Sequence, residues 1–205
     1  MAAYDLLQTE HLTVSGAADP FYAATMNRYV AFLRGMNLGG RRITNDELRS
    51  HFEALGCEDV ATFRASGNVI FACDGESPAK LTLRFEAGLA DALGYEVPVF
   101  LRTAAELSAI AAQEPFDAKQ VAASRGKLQI ALLVTKPSAA AAKKALALST
   151  DADRLAIEAR ELYWLPDGGM SDSELDLKAL AAALGPMTIR TKGTIDQIAA
   201  RHLAA

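Results

Sequence analysis

Residues 29–42 read Tyr-Val-Ala-Phe-Leu-Arg-Gly-Met-Asn-Leu-Gly-Gly-Arg-Arg, an unbroken apolar run followed by a loop rich in glycine and arginine. Five apolar residues in succession, at strand length, describe a strand buried on both faces. The loop after it leads to Thr44 and Glu47, spaced as a capping box, with Ile43 and Leu48 placed as a hydrophobic staple across it. A helix is therefore expected from 45, with Leu48, Phe52 and Leu55 on its apolar face and Gly56 at its end.

From there the chain alternates in a readable way. Residues 59–64 and 68–73 form two strands around the turn Ala65, Ser66, Gly67. Ser77 and Pro78 open a helix striped by Leu81, Phe85, Leu89 and Leu93 and closed by Gly94. Residues 97–101 are a strand whose Pro98 assigns it to a sheet edge. The order β-α-β-β-α-β is that of a ferredoxin-like unit.

After a short helix at 103–113 and a loop at 114–120, the order begins again. A strand is expected at 128–134, a helix at 138–148 and a hairpin at 154–165. Ser171 and Glu174 have capping-box spacing ahead of a helix carrying Leu175, Leu180 and Leu184. Gly185 and Pro186 stop it, a strand follows at 187–191, and Thr194 is placed to cap a last helix reaching about 203. The expectation is an α+β protein, a tandem duplication of ferredoxin-like βαββαβ halves at 28–102 and 128–205, joined by a connecting helix and loop at 103–127. Residues 1–27 lack an apolar periodicity and are expected to form a loosely packed arm that can be deleted with little loss of stability.

Composition excludes several classes of function. A net charge of −4 argues against a dedicated nucleic-acid coat, and without a run of about eighteen apolar residues no membrane span is expected. His11, His51 and His202 are too scattered to hold a metal, and Cys57 and Cys73 belong to no CxxC pair. Both cysteines are expected reduced and buried. No cofactor is implied.

Topology indicates where a site would lie. With strand order 4-1-3-2, the end of the first strand neighbours the start of the third, so the loop after Leu33 and the turn at 66–68 share one sheet edge. Arg34, Gly35, Asn37, Gly39, Gly40, Ser66, Gly67 and Asn68 are the candidate ligand-binding residues, with Arg41, Arg42, Arg64 and the N-terminus of the first helix adding positive potential. A small anion bearing phosphate or carboxylate suits that edge, with Arg34 as its principal cation. The same glycines also serve a tight loop with no ligand at all.

RNA binding ranks third among the functional readings. Residues 64–71 overlap an RNP1 pattern, but Ser66 and Asn68 occupy the stacking positions where aromatic faces are needed. Tyr163 and Trp164 are assigned to the core. The second reading is a non-catalytic module that pairs with another chain, or with itself, through exposed strand edges. No general-base constellation accompanies Ser66, so whether the chain is an enzyme stays open.

The segment Leu-Arg-Gly-Met-Asn-Leu-Gly-Gly (33–40), the Ser66-Gly67-Asn68-Val69 stretch, Val97-Pro98-Val99 and the Arg102, Thr103, Glu106, Leu107 group together resemble the bacterial family called domain of unknown function 1697. The likeness runs from Tyr29 to about Ala200. It implies an α+β protein of two ferredoxin-like halves, bacterial and cytoplasmic, with no activity to carry over. Thr188, Arg190 and Thr194 match the family's C-terminal pattern, whereas Thr191 and Lys192 stand where the family has an asparagine and an aromatic residue.

Overall fold

The apolar run becomes β1 (Asn27–Leu33), and its burial alternates by face: Tyr29, Ala31 and Leu33 enter one core cluster while Val30 and Phe32 enter another. A strand covered on both sides needs apolar residues at every position, which is why periodicity vanishes there. In the computed structural model, which describes residues 26–36 and 42–203, β1 is a central strand of its sheet.

The first half continues through α1 (Asn45–Ala54), β2 (Glu58–Thr62), β3 (Asn68–Cys73), α2 (Pro78–Leu93) and β4 (Val99–Thr103). Its antiparallel sheet has the order β2-β3-β1-β4. Thr44 and Glu47 make the expected capping box, Ser77 caps α2, and Gly94 closes α2 with a left-handed φ of 74°. Leu48 and Phe52 of α1 and Leu81, Phe85 and Leu89 of α2 cover the outer face of this sheet.

Next come α3 (Ala104–Ala112), α4 (Ala118–Ala123), β5 (Gln129–Leu133), α5 (Ala139–Leu146), β6 (Asp153–Glu158), β7 (Glu161–Pro166), α6 (Leu177–Leu184), β8 (Met187–Thr191) and α7 (Lys192–Ile198). The second antiparallel sheet has the order β6-β7-β5-β8. The protein is thus α+β with two four-stranded antiparallel sheets. A central cluster joins them: Val30, Phe32, Ile70 and Phe100 of the first sheet meet Ile130, Leu132 and Tyr163 of the second, with Leu107 and Ile110 of α3 and Ile195 and Ile198 of α7. Trp164 is buried in a third cluster beneath α5 and α6, so neither it nor Tyr163 forms an aromatic platform.

Three local expectations are corrected. The loop expected at 114–120 contains the start of α4, because Asp117 and Gln120 form a capping box of their own. Ser171 and Glu174 cap nothing; a 3-10 turn (Met170–Asp172) lies there, Ser173 donates to Asp153, and α6 starts six residues past Ser171 with Asp176 accepting from the amides of Lys178 and Ala179. The last helix is capped by Thr191, whose hydroxyl receives the Thr194 amide, and it ends in a π-turn (Ala199–Leu203). Thr191 thereby does the capping work that an asparagine would do. Of the arm expected at 1–27, residues 1–25 lie outside the described residues. No described helix is long and apolar enough to cross a membrane.

Candidate functional site

The end of β1 and the turn before β3 come together as the topology requires. Phe32 stands opposite Asn68, and the Leu33 amide donates to the Gly67 carbonyl at 2.7 Å. Gly67 has φ +70°, and a Cβ there would come within 2.9 Å of Met36 Cε and 3.1 Å of Leu33 Cβ. Only glycine allows that approach without displacing the loop. Tyr95 steadies the same loop by donating its hydroxyl to the Met36 carbonyl.

Between these segments lies a cavity of about 200 Å³ lined by Leu33, Arg34, Gly35, Met36, Ala65, Ser66, Thr188 and Arg190. Arg34 is exposed, and its side chain has no partner among the described residues. Ser66 Oγ accepts from the Asn68 amide at 2.9 Å, and Thr188 Oγ1 accepts from Arg190 Nη1 at 2.9 Å. Each hydroxyl hydrogen remains available to an acceptor inside the cavity. Asn68 itself is fully buried, its amide donating to Phe63 and Ser66 and its carbonyl accepting from Arg190. Asn37, Gly39, Gly40 and Arg41 lie outside the described residues, and Arg42 is exposed.

Arg190 is the residue that local sequence reasoning did not place here. It reaches across from β8 of the second half, and all five of its N–H donors are engaged. Nε donates to Asn68 at 2.6 Å, Nη1 to Thr188 and to the Ile189 carbonyl at 2.9 Å each, and Nη2 to the carbonyls of Leu33 at 2.9 Å and Ser66 at 2.7 Å. Its guanidinium also stands 5.7 Å from the centre of the Phe32 ring. Every partner is neutral, and burial pulls the pKa down to about 10. The charge persists at neutral pH and is unanswered by any carboxylate among the described residues.

The corresponding place in the other sheet is built from the same pattern with different chemistry. Arg102 lies opposite Val30 as Arg190 lies opposite Ile130, and Glu161 lies opposite Leu132 as Asn68 lies opposite Phe32. Arg102 Nε donates to Glu161 at 2.8 Å, Nη1 to the Leu101 carbonyl at 2.9 Å, and Nη2 to Leu133 at 2.9 Å and Arg160 at 3.3 Å. Burial lowers the Arg102 pKa, with Glu161 working against that shift and Arg160 adding to it. Arg160 in turn pairs with Glu106 at 2.7 Å. Two arginines therefore meet two carboxylates at this place.

Other candidates contribute less. The first turn of α1 carries Asp46 and Glu47, and Glu47 accepts from the Thr44 amide at 2.7 Å, so its own carboxylates already answer the helix end. Cys57 and Cys73 are free and buried; burial, with Cys73 beside it, pushes the Cys57 thiol up to about 12, which disfavours a thiolate. A larger concavity of about 920 Å³ lies between the loops around Thr150 and Gly169, but its rim bears Asp151, Asp167, Asp172, Glu174 and Asp176 against Arg125 alone. An anion would be repelled there. Among the described residues no group of His, Cys, Asp or Glu could hold a metal ion.

Comparison with known proteins places the chain without assigning it chemistry. The family described as Protein of unknown function (DUF1697) matches residues 26–163. No curated protein matches. The solved structure of the conserved bacterial protein SP0830 from Streptococcus pneumoniae is similar, with a TM-score of 0.63 at 22% sequence identity, covering 86% of this chain and 98% of that one. At that identity the likeness concerns the fold.

Proposed function

The chain belongs to the family described as Protein of unknown function (DUF1697), which brings no activity with it, and we propose from the geometry that it binds a small phosphate- or carboxylate-bearing anion in the cavity between Arg34 and Arg190. One observation carries the reading: a partly buried guanidinium held wholly by neutral acceptors, beside a second one that has no partner among the described residues. In this arrangement Arg34 and the hydroxyls of Ser66 and Thr188 meet the anion. Gly35 and Gly67 give the backbone room, and Asn68 holds Arg190 in place. Arg190 has no donor left and acts through its charge.

At an effective dielectric of about 20, unit charges about 4 Å apart attract by ~4 kcal/mol. Two such attractions, from Arg34 and Arg190, give about 8 kcal/mol, and less about 4 kcal/mol for the freedom lost on association they leave about 4 kcal/mol, a dissociation constant on the order of millimolar for a simple anion. Isothermal titration with inorganic phosphate is the test. Arg34→Ala should weaken binding about tenfold, while Arg125→Ala, at an exposed pair with Asp167, should leave it unchanged. Heat that does not depend on Arg34 would refute the site.

We further read the two halves as a duplication of a ferredoxin-like unit, with 28–102 and 128–205 as its copies and 103–127 connecting them. The repeated strand order and the matched arginines on β4 and β8 support this reading.

A further inference from the structure

Arg28, Arg49, Arg84, Arg125 and Arg160 each meet a carboxylate within 3.4 Å. Arg34, Arg64, Arg190 and Arg201 meet none among the described residues, and all four stand about the single turn that joins β2 to β3. Arg42 and Arg154 also lack one among the described residues, but Arg154 lies on β6, an edge strand of the other sheet, and Arg42 on the loop entering α1.

Arg64 begins that turn with φ +59°, a left-handed conformation that a side chain other than glycine seldom adopts. Its guanidinium reaches α7, where Nη2 donates to the neutral Gln197 Oε1 at 3.2 Å. Arg201, on the π-turn after α7, stands over the same Phe63 ring as Arg64; their guanidinium carbons lie 5.8 and 5.4 Å from its centre. Arg28 fixes that π-turn by donating to the His202 carbonyl at 3.1 Å. The matching turn of the other half again differs in charge, since α3 offers Glu106 to Arg160 where α7 has Thr194 at the same third helical position.

Like charges gathered on one apolar ring repel one another unless an anion joins them. Because Phe63 is only 8% exposed, its ring offers too little open surface for a base to stack on. The group this side would take is therefore a charge and not a ring. We infer that the ligand of the Arg34/Arg190 cavity carries a second phosphate, held by Arg64 and Arg201 on the α7 side of the turn. The inference rests on reading that cavity as an anion site. Arginine suits the role because its fork of donors matches phosphate oxygens.

The test compares orthophosphate with pyrophosphate by titration calorimetry on the full chain. Pyrophosphate should bind the unaltered protein about tenfold more tightly than orthophosphate. In the double variant Arg64→Gln, Arg201→Gln that advantage should vanish, while orthophosphate affinity stays as before; both positions are exposed, and circular dichroism verifies the fold. Arg34→Ala should weaken both probes. An advantage that survives in the double variant, or no advantage at all beside Arg34-dependent orthophosphate binding, overturns the second-phosphate inference alone. Failure of both probes to bind overturns the cavity reading with it.

Discussion

Arg102 and Arg190 occupy matching positions on matching strands, and each sends its guanidinium into the turn of the opposite half. Arg102 is 1% exposed and ends on Glu161; Arg190 ends on Asn68. The backbone acceptors are alike in both places: the residue just before the arginine, the end of the opposite half's first strand, and the turn that follows. Fold geometry thus accounts for the presence of an arginine in each. It does not account for the missing carboxylate. One place is an electrically closed brace between the halves, whereas the other performs the same bracing and leaves a positive charge over.

Removing Glu161 should produce the largest effect. Glu161→Gln strands Arg102 in the core without its counter-ion, and loss of one partner of such a pair costs about 3–5 kcal/mol. For a chain of this size the melting temperature should fall by about 10 °C. A drop below about 3 °C would mean that Arg102 tolerates a neutral partner as Arg190 does, and the contrast between the two places would lose its energetic meaning.

Arg190→Met should do less harm. It leaves acceptors of Leu33, Ser66 and Asn68 without their donor, at about 1–3 kcal/mol, but no orphan charge. Denaturant melts of the two variants side by side measure the difference. Were Arg190→Met the more damaging of the two, the guanidinium would be a structural pin first and a charge only second.

Asn68→Asp should give Arg190 the carboxylate that its counterpart has. Phosphate affinity should then drop at least tenfold, about 1.4 kcal/mol or more, because Arg190 is neutralised and because residue 68 no longer donates to Ser66 Oγ and instead takes that hydroxyl's hydrogen from the anion. Unchanged affinity would remove Arg190 from the site and leave Arg34 to act alone.

The smallest effect concerns Glu106. Burial tends to raise its pKa, but the Thr103 amide and Arg160 outweigh burial and hold it below its ordinary 4.5. A depressed carboxylate contributes stability that is complete above the unfolded value and is lost as pH falls through the folded one. Thermal melts of the unaltered protein and of Glu106→Gln should therefore differ at neutral pH and converge below pH 4.5. With the Glu106 side chain 43% exposed, the gap should stay below about 1 kcal/mol. A gap that persists in acid would mean that the charge of Glu106 contributes nothing.

Much of this arrangement was legible in the sequence because it is local. The buried strand at 29–33, the capping box at Thr44 and Glu47, and the Ser77 cap with its Leu81, Phe85, Leu89 stripe follow from periods and spacings of a few residues, and the pairing of the Leu33 end with the Ser66–Asn68 turn follows from the strand order those elements imply. Ser171 and Glu174 misled because Ser173 binds Asp153, a strand away, and Asp176 takes over the cap. Arg190 was visible only as a matched family position. Its contacts with Leu33, Ser66 and Asn68 span 122 to 157 residues and exist because two separate sheets share one core. Local patterning carries no signal for that. A clue was nonetheless present: a single arginine in the last strand of each sheet, at Arg102 and Arg190.

The central claim, that the second place takes an anion and the first does not, is most directly tested by following arginine side-chain and backbone N–H resonances while phosphate is added. Saturable shifts are expected for Arg34 and Arg190 and for the amides of Ser66 and Gly67, with Arg102 and Arg160 unmoved. Shifts of equal size at both turns, or none that saturate at the Ser66 turn, would contradict it.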